Sequence, residues 1–162
     1  MKNLIFLLVL LPAMISAQDV AVDKAAIEST LTLWHKAAAE ARFKPYFALM
    51  ADDAIFMGTD PTENWQLDAF RTFAKPYFDK GKAWNFTAVE RHIYVDGNIA
   101  WFDELLNTQM GICRGSGVLK KVNGQWRIAH YVLSMTVPND DNDKVVALKK
   151  AFDDALLAKL KR

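Results

Sequence analysis

The chain has 162 residues and a formal net charge of +1, from 20 basic and 19 acidic side chains. That balance gives no electrostatic case for nucleic acid or for an anionic membrane surface, and the length suits one domain. Cys113 is the only cysteine, which excludes an internal disulfide, so folding rests on burial.

Residues 1–17, MKNLIFLLVLLPAMISA, read as a secretory signal. Lys2 gives the positive start, Leu4 to Leu11 an apolar core, Pro12 a break, and Ser16-Ala17 a small-residue cleavage site. The apolar run is shorter than the roughly 20 residues a bilayer span needs. Cleavage after Ala17 leaves Gln18 to Arg162, in which Lys2 is lost and charges balance. The mature protein is therefore expected to be periplasmic or secreted and not membrane-bound.

Ile27, Leu31, Trp34, Ala38 and Ala41 keep helical spacing, predicting an amphipathic helix over about Asp23 to Ala41 with Asp23 as cap or first-turn acid. Pro45 suits the start of a second, short helix through Leu49 that Asp52-Asp53 ends. Ala54 to Thr59 reads as a short strand, and Thr59-Asp60-Pro61-Thr62 as a turn. A third helix is predicted from about Gln66 through Phe70, Phe73 and Tyr77, kinked at Pro76 and stopped at Gly81. Strands follow over Trp84 to Val95 and Asn98 to Asn107, and on both sides of Asn123-Gly124. A last helix is spaced by Val145, Leu148, Phe152, Leu156 and Leu160. The order defines an α+β protein with helices packed on one face of a curved antiparallel sheet. Residues 18–140 form its domain and 141–162 a C-terminal amphipathic helix.

Asn123-Gly124 fixes a register, because a type I′ turn requires positive φ at both central residues. Val122 then pairs with Gln125 and Gly117 with His130. Arg114, Ser116 and Val118 share a face with Leu133, Tyr131 and Ala129. Centring the preceding turn within Thr108 to Gly111 sets Glu104 opposite Arg114, Asp103 opposite Gly115 and Trp101 opposite Gly117. Asp103 and His130 would flank a strip left bare by Gly115 and Gly117. Two readings stand for that pair: a general acid and base in an apolar pocket, or a solvated aspartate with a satisfied histidine. Glu104 with Arg114 is an outer-face salt bridge or an anion clamp. Val118, Tyr131 and Leu133 give the outer face enough apolar surface to predict a homodimer.

Four segments carry a family resemblance: Phe56-Met57-Gly58-Thr59-Asp60, Ala100 to Glu104, Arg114-Gly115-Ser116-Gly117-Val118-Leu119, and Trp126 to Asn139. With the opening helix and its Trp34, they resemble the SnoaL-like branch of the nuclear transport factor 2-like superfamily, over about Ile27 to Asp140. The resemblance implies a cone-shaped barrel, a strongly bent sheet wrapped on the N-terminal helices, and often a dimer through the outer sheet face. It carries no single activity, since relatives include isomerases, dehydratases, epoxide hydrolases, polyketide cyclases and non-catalytic modules. The expected function is binding of a small, mainly apolar molecule in the cone, with cofactor-free acid/base chemistry by Asp103 and His130. Trp34, Phe56, Trp101, Arg114 and Tyr131 are the expected ligand contacts. The alternative is a dimeric, non-enzymatic module whose own aromatics fill the cone. The three histidines, His35, His92 and His130, lack metal-type spacing, and no P-loop or dinucleotide fingerprint occurs. Neither a metal nor a cofactor is therefore expected. Cys113 is expected as a small buried hydrophobe.

Overall fold

A computed structural model describes residues 10–161, so residues 1–9 of the expected signal segment lie outside the described residues. Helix α1 (Leu10–Ala39) buries Ile27, Leu31, Trp34 and Ala38, the stripe that the helical spacing predicts. It begins well before Asp23, which is not a cap. Asp23 Oδ1 instead accepts hydrogen bonds from Lys121 Nζ at 2.7 Å and Trp126 Nε1 at 2.9 Å, tying α1 to the last hairpin. The Lys121 hydrogen bond and then that from Trp126 hold its carboxyl below the usual range.

Helix α2 (Phe43–Ala48) leads into β1 (Met50–Met57), which starts four residues earlier than the sequence suggested. A short β2 (Asn64–Gln66), too brief to show an alternating pattern, precedes α3 (Leu67–Asp79). Pro76 lies in the last turn of α3, and the chain turns out through Gly81 at φ +70°. Strands β3 (Phe86–Asp96), β4 (Ile99–Thr108), β5 (Gly111–Val122) and β6 (Gln125–Met135) follow. The six strands form one curved, unclosed sheet in the order β2-β1-β6-β5-β4-β3. Only β1 and β6 run parallel. The helices α1 to α3 fill the concave face, and the core lies between them and the sheet.

Two local features reset the expected register. The turn between β4 and β5 holds only Gln109 and Met110, with Thr108 opposite Gly111. Gly111 supplies φ +85°, and the Thr108 hydroxyl accepts from the Met110 N–H at 2.9 Å and donates to the Gly111 carbonyl at 2.8 Å. Glu104 therefore faces Gly115, Asp103 faces Ser116 and Trp101 faces Val118. The β5–β6 hairpin begins as expected, with Val122 opposite Gln125 and Asn123 and Gly124 both at positive φ. A bulge then passes Ala129, since Leu119 pairs with Ile128 but Val118 with His130. One extra residue reverses every later side chain. Tyr131 and Leu133 thus turn inward, not onto the outer face with Val118, so the apolar trio expected to drive dimerisation is split.

After the sheet, a 3-10 turn (Asn139–Asp141) leads into α4 (Asn142–Leu160), which has no buried residue. Val145, Phe152 and Leu156 share an open groove of about 820 Å³ with Met57, Val132 and Met135. Among the described residues no helix is long and apolar enough to cross a membrane.

Candidate functional site

Alternation along β4 points Ala100, Phe102, Glu104 and Leu106 into the cone. Glu104 alone among them is charged, and its side chain is 0% exposed. Its carboxylate is fully partnered. Oε1 accepts from His35 Nε2 at 2.8 Å and from the Tyr131 hydroxyl at 3.3 Å. Oε2 accepts from Arg91 Nε at 2.8 Å and Nη2 at 2.7 Å, a two-pronged guanidinium contact. Arg91 Nη1 continues outward to Glu28 Oε1 at 2.6 Å and Thr32 Oγ1 at 3.2 Å. Four elements thus meet at one carboxylate: α1, β3, β4 and β6.

Burial alone would raise the Glu104 carboxyl. The hydrogen bond and electrostatic interaction with His35, joined by Arg91, outweigh it and hold the carboxyl below the usual glutamate value. An ionised carboxylate only accepts, so His35 Nε2 carries the proton in this contact. His35 Nδ1 is buried without a protein partner, as are Trp34 Nε1 and Tyr46 Oη. Burial, reinforced by the Glu104 charge, pushes the Tyr131 hydroxyl well above its ordinary value and keeps it a donor.

Gly115 and Gly117 face this cluster, and they leave room for neighbours, not for a bare strip. A Cβ at Gly115 would run into Tyr131 Oη and lie 2.9 Å from Glu104 Oε1. At Gly117 it would meet the His130 carbonyl oxygen and lie 2.9 Å from the Phe102 ring.

The expected pair of Asp103 and His130 is not in the cone. Both lie on the convex face, two strands apart and two residues out of step, because Asp103 pairs with Ser116 while His130 pairs with Val118. Asp103 Oδ1 instead meets His92 Nδ1 at 3.1 Å with its side chain half exposed. The geometric premise for an interior acid/base role of Asp103 and His130 therefore fails. Arg114 is also convex, exposed and opposite Leu105, so the expected Glu104 contact belongs to Arg91. Trp101 stacks on Tyr94 outside the cone at a centroid distance of 5.7 Å and is 47% exposed. Of the expected ligand contacts, Trp34, Phe56 and Tyr131 are interior. Sequence reasoning missed His35, Arg91 and Tyr46 as parts of one neighbourhood. His35 does sit four residues after Leu31 on the buried stripe of α1, which was the available signal.

The cone is largely filled by aromatic rings, with Phe56 stacked on Phe70 at 4.0 Å and Trp34 on Tyr46 at 5.0 Å. At its mouth a pocket of about 130 Å³ remains, walled by Phe56, Trp65, Phe70, Phe73, Trp84, Phe86, Met110 and Leu133, with Glu63 also lining it. A second recess of about 320 Å³ between α1 and β3 reaches His35 and Arg91, and Phe86 borders both. No group of His, Cys, Asp and Glu side chains among the described residues has metal-binding geometry.

This bent sheet on three helices is the cone fold of the nuclear transport factor 2-like superfamily. The chain belongs to the SnoaL-like domain family within it, whose model matches residues 27–138. Solved structures agree in fold at low identity. A nuclear transport factor 2-like protein of unknown function from Pseudomonas putida KT2440 is 14% identical, with TM-score 0.65, 74% of this chain and 90% of that chain covered. A proposed dehydratase of the same family from Streptomyces avermitilis is 13% identical, with TM-score 0.62, covering 73% and 99%. A proposed scytalone dehydratase from Novosphingobium aromaticivorans is 15% identical, with TM-score 0.63, covering 75% and 89%. No curated protein matches the sequence.

Proposed function

We propose that this protein is exported and binds a small apolar molecule, about the size of one aromatic ring, at the mouth of its cone. The aromatic-walled pocket carries this reading. An apolar protein cavity of about 150 Å³ takes up benzene, so the volume here suits a single ring and not a drug-sized ligand. Two of the similar structures are described as proposed dehydratases, which supports small-molecule work on this fold. We assign acid/base chemistry to His35, whose imidazole neighbours the pocket-lining Phe86 and is oriented by Glu104. The second reading, a non-enzymatic module, is favoured by the close aromatic packing of the cone. The convex face, with Trp101, Tyr94 and Ile112 each more than two-fifths exposed, is the proposed dimer surface.

The pocket is tested with toluene as probe. Titration followed by NMR should be saturable and should shift Phe56 and Trp84 signals, and Met110→Trp, which fills the space, should abolish it. Absence of saturable binding to folded wild-type protein removes the reading. Export is tested separately: the isolated protein should begin at Gln18, and retention of Met1 would contradict it.

A further inference from the structure

Three buried polar atoms have no protein partner: Trp34 Nε1, His35 Nδ1 and Tyr46 Oη. Leaving such groups unmade in a core is costly, and native cores contain few of them. These three are not scattered. The Trp34 ring lies 5.0 Å from Tyr46 and 5.3 Å from His35. Each of the three rings also lies within 6.3 Å of a ring that lines the mouth pocket. Trp34 is 6.3 Å from Phe56, His35 is 6.0 Å from Phe86, and Tyr46 is 5.6 Å from Trp84, whose indole N–H lies beside the Tyr46 hydroxyl and leaves that hydroxyl free to donate. These three polar residues are thus one ring removed from the pocket, with hydrogen-bonding capacity to spare.

We propose that Trp34, His35 and Tyr46 form the polar floor of the ligand site, and that the ligand is a neutral ring bearing a hydroxyl, which enters as the Phe56 and Phe86 rings move aside. This rests on the mouth-pocket reading above and deepens it. A hydroxyl needs both an acceptor for its proton and donors for its oxygen. Trp34 Nε1 can only donate, the Tyr46 hydroxyl can do either, and His35 Nδ1 completes the set. An anionic ligand is disfavoured, because the ionised Glu104 carboxylate is 2.8 Å from His35. The nearest cation, Arg91, is already engaged by Glu104 and Glu28.

The test compares phenol, toluene and benzoate on the full chain by NMR titration. Phenol should bind about five- to tenfold more tightly than toluene, the equivalent of one net hydrogen bond, and benzoate should not bind where phenol saturates. Tyr46→Phe and Trp34→Phe each remove a polar group, and toluene binding serves as the control that the pocket is still formed. Loss of the phenol preference in either variant, with toluene affinity kept, supports the floor. If toluene binds and phenol binds no better, or if both variants keep the preference, the polar floor is wrong while the apolar pocket stands. If neither ring binds, both readings fall.

Discussion

Asp103 and Glu104 are adjacent carboxylates on one strand, and they occupy opposite worlds. Asp103 points from the convex face, half in water, with an exposed histidine beside it. Glu104 points into the cone, wholly buried, and holds His35, Arg91 and Tyr131 in fixed places. The pleat alone makes this difference, since successive side chains leave a strand on opposite faces. Chemical type therefore says little about role in a sheet of this kind, and position relative to the pleat says nearly everything. Breaking one carboxylate and then its neighbour should expose that contrast directly.

The largest effect is expected at Glu104. Glu104→Ala leaves the Arg91 guanidinium, 5% exposed, with only the exposed Glu28 as a charged partner. Removing one member of a buried pair costs about 3–5 kcal/mol, to be read from urea unfolding at pH 7. Asp103→Ala, which breaks a surface pair, should cost no more than about 1 kcal/mol. Acid sharpens the comparison. The Glu104 carboxyl is held below its unfolded value, so its stabilisation is complete above that value, about pH 4.3, and is lost as pH falls through the folded one. The gap between wild type and Glu104→Ala should therefore narrow in acid. A gap of equal size at pH 7 and pH 3 would show that folding does not lower the Glu104 carboxyl, and a gap that widens in acid would show that the buried carboxyl is neutral.

Much of this contrast was legible in the sequence, and its sign was not. The Asn123-Gly124 turn, the buried stripe of α1 and the four long strands all follow from local chemistry, and they recur in the structure where expected. The assignment of faces depended on two single-residue facts. One was a two-residue turn at Gln109-Met110; the other was a bulge at Ala129. Alanine carries no signal for a bulge, and a shift of one residue exchanges the two faces of a strand. Hence Asp103 was expected where Glu104 lies, and Tyr131 on the face it does not occupy. The His35 contact with Glu104 spans 69 positions and joins a helix to a strand, so no local pattern announces it.

A smaller effect is expected where the two faces share a strand through glycine. Gly117→Ala would drive its new Cβ against the His130 backbone carbonyl and the Phe102 ring. Backbone cannot swing away as a side-chain tip can, so a loss of about 1–3 kcal/mol is expected. The neighbouring Ser116→Ala, on the convex face, should stay within about 0.5 kcal/mol. Equal melting temperatures for the two variants would mean that the close packing behind Gly117 relaxes freely.

The smallest effect on the fold, with the clearest effect on assembly, is expected at Val118. It pairs with Trp101 and His130 on the convex face, beside the exposed Tyr94–Trp101 stack. If that face joins two copies, Val118→Asp places a charge in an apolar contact and should convert dimer to monomer in sedimentation experiments at micromolar concentration. Val118 is partly buried in the isolated subunit and Asp is a poor strand residue, so monomer stability should fall by about 1 kcal/mol. Leu133, once grouped with Val118, is the contrasting site. It is buried on the concave side, so Leu133→Asp should unfold the subunit instead of separating two folded ones. A wild-type protein that sediments as a monomer would remove the dimer. A Val118→Asp protein that remains dimeric would move the contact to another surface, with the groove under α4, lined by the half-exposed Phe152 and Leu157, the next apolar candidate.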